Sequence, residues 1–193
     1  MSPSDITGII LAGGLGRRMG GVDKGLQLLD GRPLVRHVAE RLAPQVDQLL
    51  INANRSQADY AALGYPVLAD EIPDFAGPLA GLHAALSAAT TAWVVTVPCD
   101  SPYLPLDLVS RLQAGLQSSA AGLAVAHVEG RLHPVFCLCR TSLNDALTAY
   151  LSQGGRRVAE WCTDMGAVLV DFDDQPQAFR NFNTLQELTV QGV

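Results

Sequence analysis

The 193 residues predict a doubly wound, three-layer α/β/α fold with a mostly parallel sheet and one antiparallel excursion. Three observations carry that expectation. Short β-branched and aliphatic runs alternate with stretches of helical period, as crossover helices between parallel strands require. The first such run ends abruptly in glycines at Gly13-Gly14. Late in the chain two apolar runs meet across Glu129-Gly130-Arg131, a hairpin connection and not a crossover.

Taken in order, Ile6 to Leu11 reads as the first strand. Pro33 suits the first turn of a helix, and Leu34, Val38 and Leu42 follow it at four-residue spacing. Gln48 to Asn52 is the second strand, and Ser56 is placed to cap a short helix ending at Gly64. Pro66 to Ala69 is a third strand running into Asp70. Leu79, Leu82 and Leu86 mark a helix, and Trp93 to Val97 a fourth strand that stops at Pro98-Cys99-Asp100-Ser101-Pro102. A helix from Asp107 to Leu116 precedes strands at Gly122–Val128 and Leu132–Leu138. Helices over Leu143–Leu151 and Arg156–Cys162, a strand at Val168–Asp171 and a helix at Leu185–Val190 complete the chain. There is no internal repeat or linker, so one domain over 1–193 is expected.

Composition narrows the function. The length, with 48% hydrophobic residues, suits a full-sized core. A net charge of −6 argues against nucleic acid or an anionic membrane as partner. No apolar run approaches the roughly 20 residues of a membrane span, and the polar start Ser2-Pro3-Ser4-Asp5 lacks a signal-peptide pattern, so a cytoplasmic protein is expected. The four cysteines contain no C-x-x-C pair. Cys137 and Cys139 share one strand face and read as small buried hydrophobes.

The glycine turn carries the chemistry. Five glycines fall between Gly13 and Gly21, and from Gly13 to Arg36 five basic residues stand against two acidic ones, a local +3 in an acidic chain. Glycine admits close approach to the main chain, free N–H groups in such a loop face an anion, and Arg17, Arg18 and Lys24 add charge-assisted donors. The pattern is a polyphosphate cradle. It is neither a P-loop nor a dinucleotide fingerprint, because no G-K-[ST] follows and the third glycine of G-x-G-x-x-G comes one place late.

Ligands in open α/β sheets bind beyond the carboxyl ends of the strands. Those ends supply Leu11-Ala12-Gly13, Asn52-Ala53-Asn54-Arg55, Asp70 and Asp100. Asp100 lies between two prolines that stiffen its turn, which suits a carboxylate holding Mg²⁺ together with substrate phosphates. His37, His83 and His127 lack metal-ligand spacing to one another, His133 reads as a turn residue, and Asp171, Asp173 and Asp174 read as a solvated turn. No G-x-S-x-G elbow supports acyl hydrolysis.

The segment Leu11-Ala12-Gly13-Gly14-x-x-x-Arg18-Met19-Gly20-x-x-Asp23-Lys24 resembles the signature loop of nucleotidyltransferases that join a nucleoside monophosphate to a phosphorylated acceptor. Met19 to Lys24 and Cys99-Asp100-Ser101-Pro102-Tyr103 are similar to segments of the molybdenum cofactor guanylyltransferase (MobA) family, and the likeness extends over nearly the whole chain. It implies a Rossmann-like nucleotidyltransferase fold and GMP transfer from GTP to molybdopterin, with pyrophosphate released and the guanine dinucleotide cofactor formed.

The resemblance also implies roles. Lys24, Asp100 and Arg18 would be catalytic, with Mg²⁺ on Asp100. Leu11, Ala12, Gly13, Gly14, Lys24, Asn52, Asp70 and Asp100 would contact GTP. Gly77, Pro78 and Leu79, from the Gly-Pro-Leu-Ala-Gly loop, would face the acceptor with Arg156, Asn181 and Asn183. Contact with a molybdoenzyme or a cofactor-delivery protein follows from so labile a product, and a monomer is expected. Base choice stays open at this level. Cytidylyl transfer to molybdopterin or another phosphorylated acceptor is the alternative, and a non-catalytic nucleotide-binding partner is a third reading that the complete loop, Lys24 and Asp100 disfavour.

Overall fold

The computed structural model describes residues 5–13, 23–72 and 77–182. At the centre of its sheet lies β1 (Ile6–Leu11), in which Ile6, Ile9 and Ile10 are wholly inaccessible. A strand covered on both faces needs a continuous apolar run, and this one has it. A small hairpin of β2 (Leu28–Leu29) and β3 (Arg32–Pro33) follows, which the sequence reading did not foresee. Its turn residues Asp30 and Gly31 both have positive φ, 52° and 75°, the demand that an Asp-Gly pair meets in a two-residue hairpin.

Helix α1 (Leu34–Leu42) starts directly after Pro33 and buries Leu34, Val35, Val38, Ala39 and Leu42. Next come β4 (Gln48–Asn52), the short α2 (Gln57–Ala61) and β5 (Val67–Leu68). Ser56 precedes α2 but does not cap it: its φ of 49° is left-handed, and its side chain makes no capping hydrogen bond. Helix α3 (Pro78–Ala88) is buried over eight of its eleven residues. Then follow β6 (Trp93–Pro98), α4 (Leu108–Gln117), β7 (Leu123–Val128) and β8 (Arg131–Arg140). Helices α5 (Asn144–Ser152) and α6 (Val158–Asp164) lead to β9 (Val168–Asp171). The helix expected at 185–190 lies outside the described residues.

The seven long-range strands are ordered β5-β4-β1-β6-β8-β7-β9. β1 pairs in parallel with β4 and β6, and β7 with β9, while β8 is antiparallel to both of its neighbours. All seven except β8 therefore point the same way, so one edge collects the carboxyl ends of six strands. The hairpin turn is tighter than expected, two residues with Glu129 and Gly130 at φ 47° and 75°. β8 also runs longer than expected and carries Pro134, which lacks the N–H a ladder needs. The register accommodates it by jumping from Val125↔Cys137 to Ala126↔His133.

Apolar residues of α1 and α4, with Tyr60 of α2, pack on one face of the sheet. Those of α3, α5 and α6 pack on the other. The three-layer fold expected from the sequence is present. Among the described residues no helix is long and apolar enough to cross a membrane.

Candidate active site

At the carboxyl edge the central strands hand over to polar side chains. Leu11 stands in register with Asn52 on one side and Pro98 on the other. The ladder continues one step further, with Ala12 N–H donating to Asn52 O at 2.8 Å and Cys99 N–H to Leu11 O at 3.2 Å. Gly13 and the Pro98–Pro102 turn are thereby fixed side by side at the sheet edge.

Asn52 and Asp70 form the first knot. The Asn52 side chain is buried, and its Nδ2 donates to Asp70 Oδ1 at 2.9 Å. Asn54 Nδ2 donates to the other oxygen, Oδ2, at 2.7 Å, and Asp70 N–H returns a bond to Asn54 Oδ1 at 2.8 Å. Two amides so hold one carboxylate rigidly, leaving about two of its four lone-pair sites for a ligand. Asn54, within the strand-end segment Asn52-Ala53-Asn54-Arg55, thus has a holding role that its sequence context does not mark.

Helix α3 lies over this knot through Gly81. A Cβ there would sit 2.7 Å from Leu11 Cδ2 and closer still to Asn52 Oδ1. Only glycine lets the helix come so near, which gives the second glycine of Gly-Pro-Leu-Ala-Gly a packing reason. Gly77 and Pro78 are exposed at the start of that helix, whereas the Leu79 side chain is buried among apolar residues of the same face.

The second knot joins Lys24 to Asp100. Lys24 Nζ lies 3.4 Å from Asp100 Oδ2, with the lysine side chain 27% and the aspartate side chain 10% exposed. Burial pushes the Asp100 carboxyl above its ordinary value, and Lys24 pulls it partly back. A carboxylate whose charge is penalised by burial gains most from a cation placed on it. Lys24 is, moreover, the one lysine among the chain's 13 basic side chains.

The end of the described chain folds back to this turn. Phe182 N–H donates to Asp100 O at 2.9 Å, and the Ser101 hydroxyl to Asn181 Oδ1 at 2.7 Å. The Tyr103 and Phe182 rings meet edge to face at 5.7 Å between centroids. Asn181, distant in sequence, therefore stands beside Asp100. Ser101 and Phe182 are links that reading the sequence missed. Arg156 sits in the α5–α6 connection, where its guanidinium bonds Leu151 O at 3.0 Å and Gly155 O at 2.6 Å. Gly14, Arg18 and Asn183, named from the sequence, lie outside the described residues.

The remaining readings fall into place away from these knots. All four cysteines are buried and free. Burial raises the Cys137 thiol to about 11, which keeps it protonated at neutral pH. His133 lies in β8, not in the expected turn, and its ring packs against Phe136 and Phe179, with burial lowering its basicity. His127, Asp171 and Asp173 bring ligand atoms within 4.8 Å of one another. Both exposed carboxylates accept backbone hydrogen bonds, Asp171 from Asp173 N–H within its own turn and Asp173 from Glu129 N–H of the β7–β8 hairpin. Asp174 pairs with Arg111 through both oxygens at 2.9 and 3.0 Å.

A strand-end glycine, two held carboxylates and one lysine on a single edge match a nucleotide site in outline. Residues 8–166 match the MobA-like NTP transferase domain. The chain belongs to that family. As a MobA-like NTP transferase it is an enzyme, a nucleotidyltransferase. It is 53% identical over 189 residues to the molybdenum cofactor guanylyltransferase of Cupriavidus pinatubonensis, covering 95% of this chain and 94% of that one. To the protein of that name from Shewanella putrefaciens it is 46% identical over 185 residues, covering 96% and 95%. Among solved structures, molybdopterin-guanine dinucleotide biosynthesis protein A of Archaeoglobus fulgidus superposes with a TM-score of 0.77 at 23% identity, covering 94% of each chain. The 4-diphosphocytidyl-2C-methyl-D-erythritol synthase of Anaerococcus prevotii gives 0.70 at 11%, covering 96% and 93%. Likeness at such low identity shows the shared fold alone.

Proposed function

We propose that this MobA-like NTP transferase moves GMP from GTP to the phosphate of molybdopterin, releasing pyrophosphate and forming molybdopterin guanine dinucleotide. The observation that carries the reading is the Lys24–Asp100 pair, set beside the end of β1 where the glycine loop begins. Relatives about half identical over almost the full chain bear the name of that reaction.

An oxygen of the acceptor phosphate attacks the α-phosphorus, and the bond from that phosphorus to the α–β bridging oxygen breaks. The electron pair leaves with pyrophosphate. The acceptor phosphate is already ionised at neutral pH, so no protein nucleophile is needed, and positioning and charge neutralisation dominate. Lys24 and the Gly13 amide stabilise charge on the departing oxygens. The Asp70 carboxylate, held by two amides, offers its open lone pairs to hydroxyl or N–H donors of the nucleoside. Asn181, whose carbonyl accepts from Ser101, is held beside Asp100 and in this reading serves the acceptor side.

Asp100 fits Mg²⁺ in donor chemistry, being a nearly buried, hard oxygen ligand of the kind that shares this ion with substrate phosphates. When bound there, the ion would neutralise phosphate charge during transfer. The working unit in this reading is a cytoplasmic monomer of one domain, 1–193. It meets GTP, molybdopterin and, transiently, a molybdoenzyme or cofactor-delivery protein, without nucleic acid or membrane.

Calorimetric titration of the purified protein with GTP, CTP, ATP and UTP, each with Mg²⁺, tests the reading. GTP preference is expected. CTP preference would keep the fold and move the enzyme to cytidylyl transfer. Absence of triphosphate binding would overturn the proposal.

A further inference from the structure

Asp23 precedes the short helical turn Lys24–Leu26 in the position where an aspartate ordinarily caps it, yet its side chain makes no capping bond. Its carboxylate Oδ1 instead accepts a short hydrogen bond from the Tyr60 hydroxyl. Tyr60 is the one buried residue of α2, and its ring belongs to the core on that face. The same hydroxyl abuts Gly25: a Cβ there would come within 2.5 Å of it and within 3.3 Å of the Cys99 Cβ. One phenol therefore touches the residues on both sides of Lys24, and Gly25 itself packs toward the turn that carries Asp100.

We propose that Tyr60 is a positioning residue for Lys24, clamping Asp23 and Gly25 so that the lysine between them is directed at Asp100. The inference rests on the reading of Lys24 and Asp100 as the phosphate end of the nucleotide site. A lysine side chain has four rotatable carbons and a point charge, so its aim depends on where its backbone is held. The α2 tyrosine supplies that hold from the core, while the lysine itself stays partly open to solvent.

Because the chain has one lysine, its reactivity can be read without ambiguity and without turnover. The full-length protein and the variants Y60F, D23A, D23N and Y60F/D23A would be treated with an acetylating N-hydroxysuccinimide ester, and the Lys24 rate followed by mass spectrometry. Melting curves would show that each is folded, and GTP·Mg²⁺ titration would run in parallel. Y60F and D23A are expected to change the Lys24 rate at least fivefold. D23N keeps an acceptor for the phenol and should stay within twofold of wild type, and the double variant should match either single one. GTP affinity should fall about tenfold in Y60F.

A merely structural tyrosine would lower the melting temperature and leave the Lys24 rate where it was. That result, or additive effects in the double variant, overturns the inference. Failure of the wild-type protein to bind GTP overturns the nucleotide reading instead, and the acetylation comparison still decides whether Tyr60 holds Lys24.

Discussion

Two halves of the same sheet edge are finished in different materials. Where β1, β4, β5 and β6 end, the chain places glycine, asparagine and aspartate, with Lys24 beside them, tied by side-chain hydrogen bonds. Where β7 and β9 end and β8 begins, it places rings: Phe136, Phe172 and Phe179 meet at centroid distances of 4.8 and 5.1 Å. Arg111 lies 4.0 Å over the Phe172 ring and clasps the acidic turn beyond it. The first half is held by directional bonds and remains chemically available. The second is held by packing and forms a wall. The contrast teaches that strand direction offers sites along the whole edge, and side-chain choice decides which of them stay open.

The sharpest way to break this division is F172A. Removing a wholly buried phenylalanine should cost about 3–5 kcal/mol of stability, read by denaturant unfolding, while GTP affinity below the transition stays within twofold. A parallel loss of affinity would mean that the halves are not independent.

D100N should do the reverse. Transfer is expected to fall about 10²–10³-fold, the usual scale for removing one stabilising group, with the melting temperature at pH 7 equal to or above wild type. The sign follows from linkage: the folded-state carboxyl titrates above its ordinary value of 3.8, so the folded protein holds the proton longer than the unfolded chain does. That part of stability is full below 3.8 and is lost as pH rises through the folded-state value. The asparagine variant lacks this loss, so its advantage should shrink on acidification. A D100N protein less stable at pH 7 than at pH 4, relative to wild type, would contradict the assignment.

G81A comes next. Its new methyl meets Leu11 and Asn52, and overpacking of this kind costs about 1–3 kcal/mol. Since Asn52 holds Asp70, the same substitution should weaken GTP binding severalfold, unlike F172A. The smallest effect is expected from thiol labelling. With all four cysteines buried and Cys137 at about 11, native protein at pH 7.4 should react negligibly with a disulfide reagent, and fully once unfolded.

Much of this contrast was legible in the residues. The apolar run Ile6–Leu11 ends at the observed place, and the run from Trp93 ends one residue beyond Val97, at Pro98, just before the polar Asp100-Ser101 turn. Asp100 was visible as a carboxylate between prolines, and Lys24 through its motif. The β2–β3 hairpin was not, because two-residue strands carry no periodicity, although Asp30-Gly31 was a readable turn. Ser56 looked like a cap, but whether a serine caps depends on its backbone angle, which composition does not report. Tyr60, Asn54 and Ser101 were hidden for another reason. Each acts through a partner 16 to 80 positions away, and nothing local marks such a bond.

The return of the chain to Asp100 has a consequence for how the protein is made. Ser101 and Asn181 are separated by 80 positions, and their bond joins the turn after β6 to the last described residues. Closing so long a loop is among the slower steps available to a chain, since its entropy must be spent before the contact forms. During synthesis from the N-terminus, the glycine turn, Lys24 and Asp100 emerge well before Asn181 does. A nascent chain can thus contain both Lys24 and Asp100 while Asn181 is still missing. The Ser101–Asn181 bond can therefore form only after residue 181 has been made.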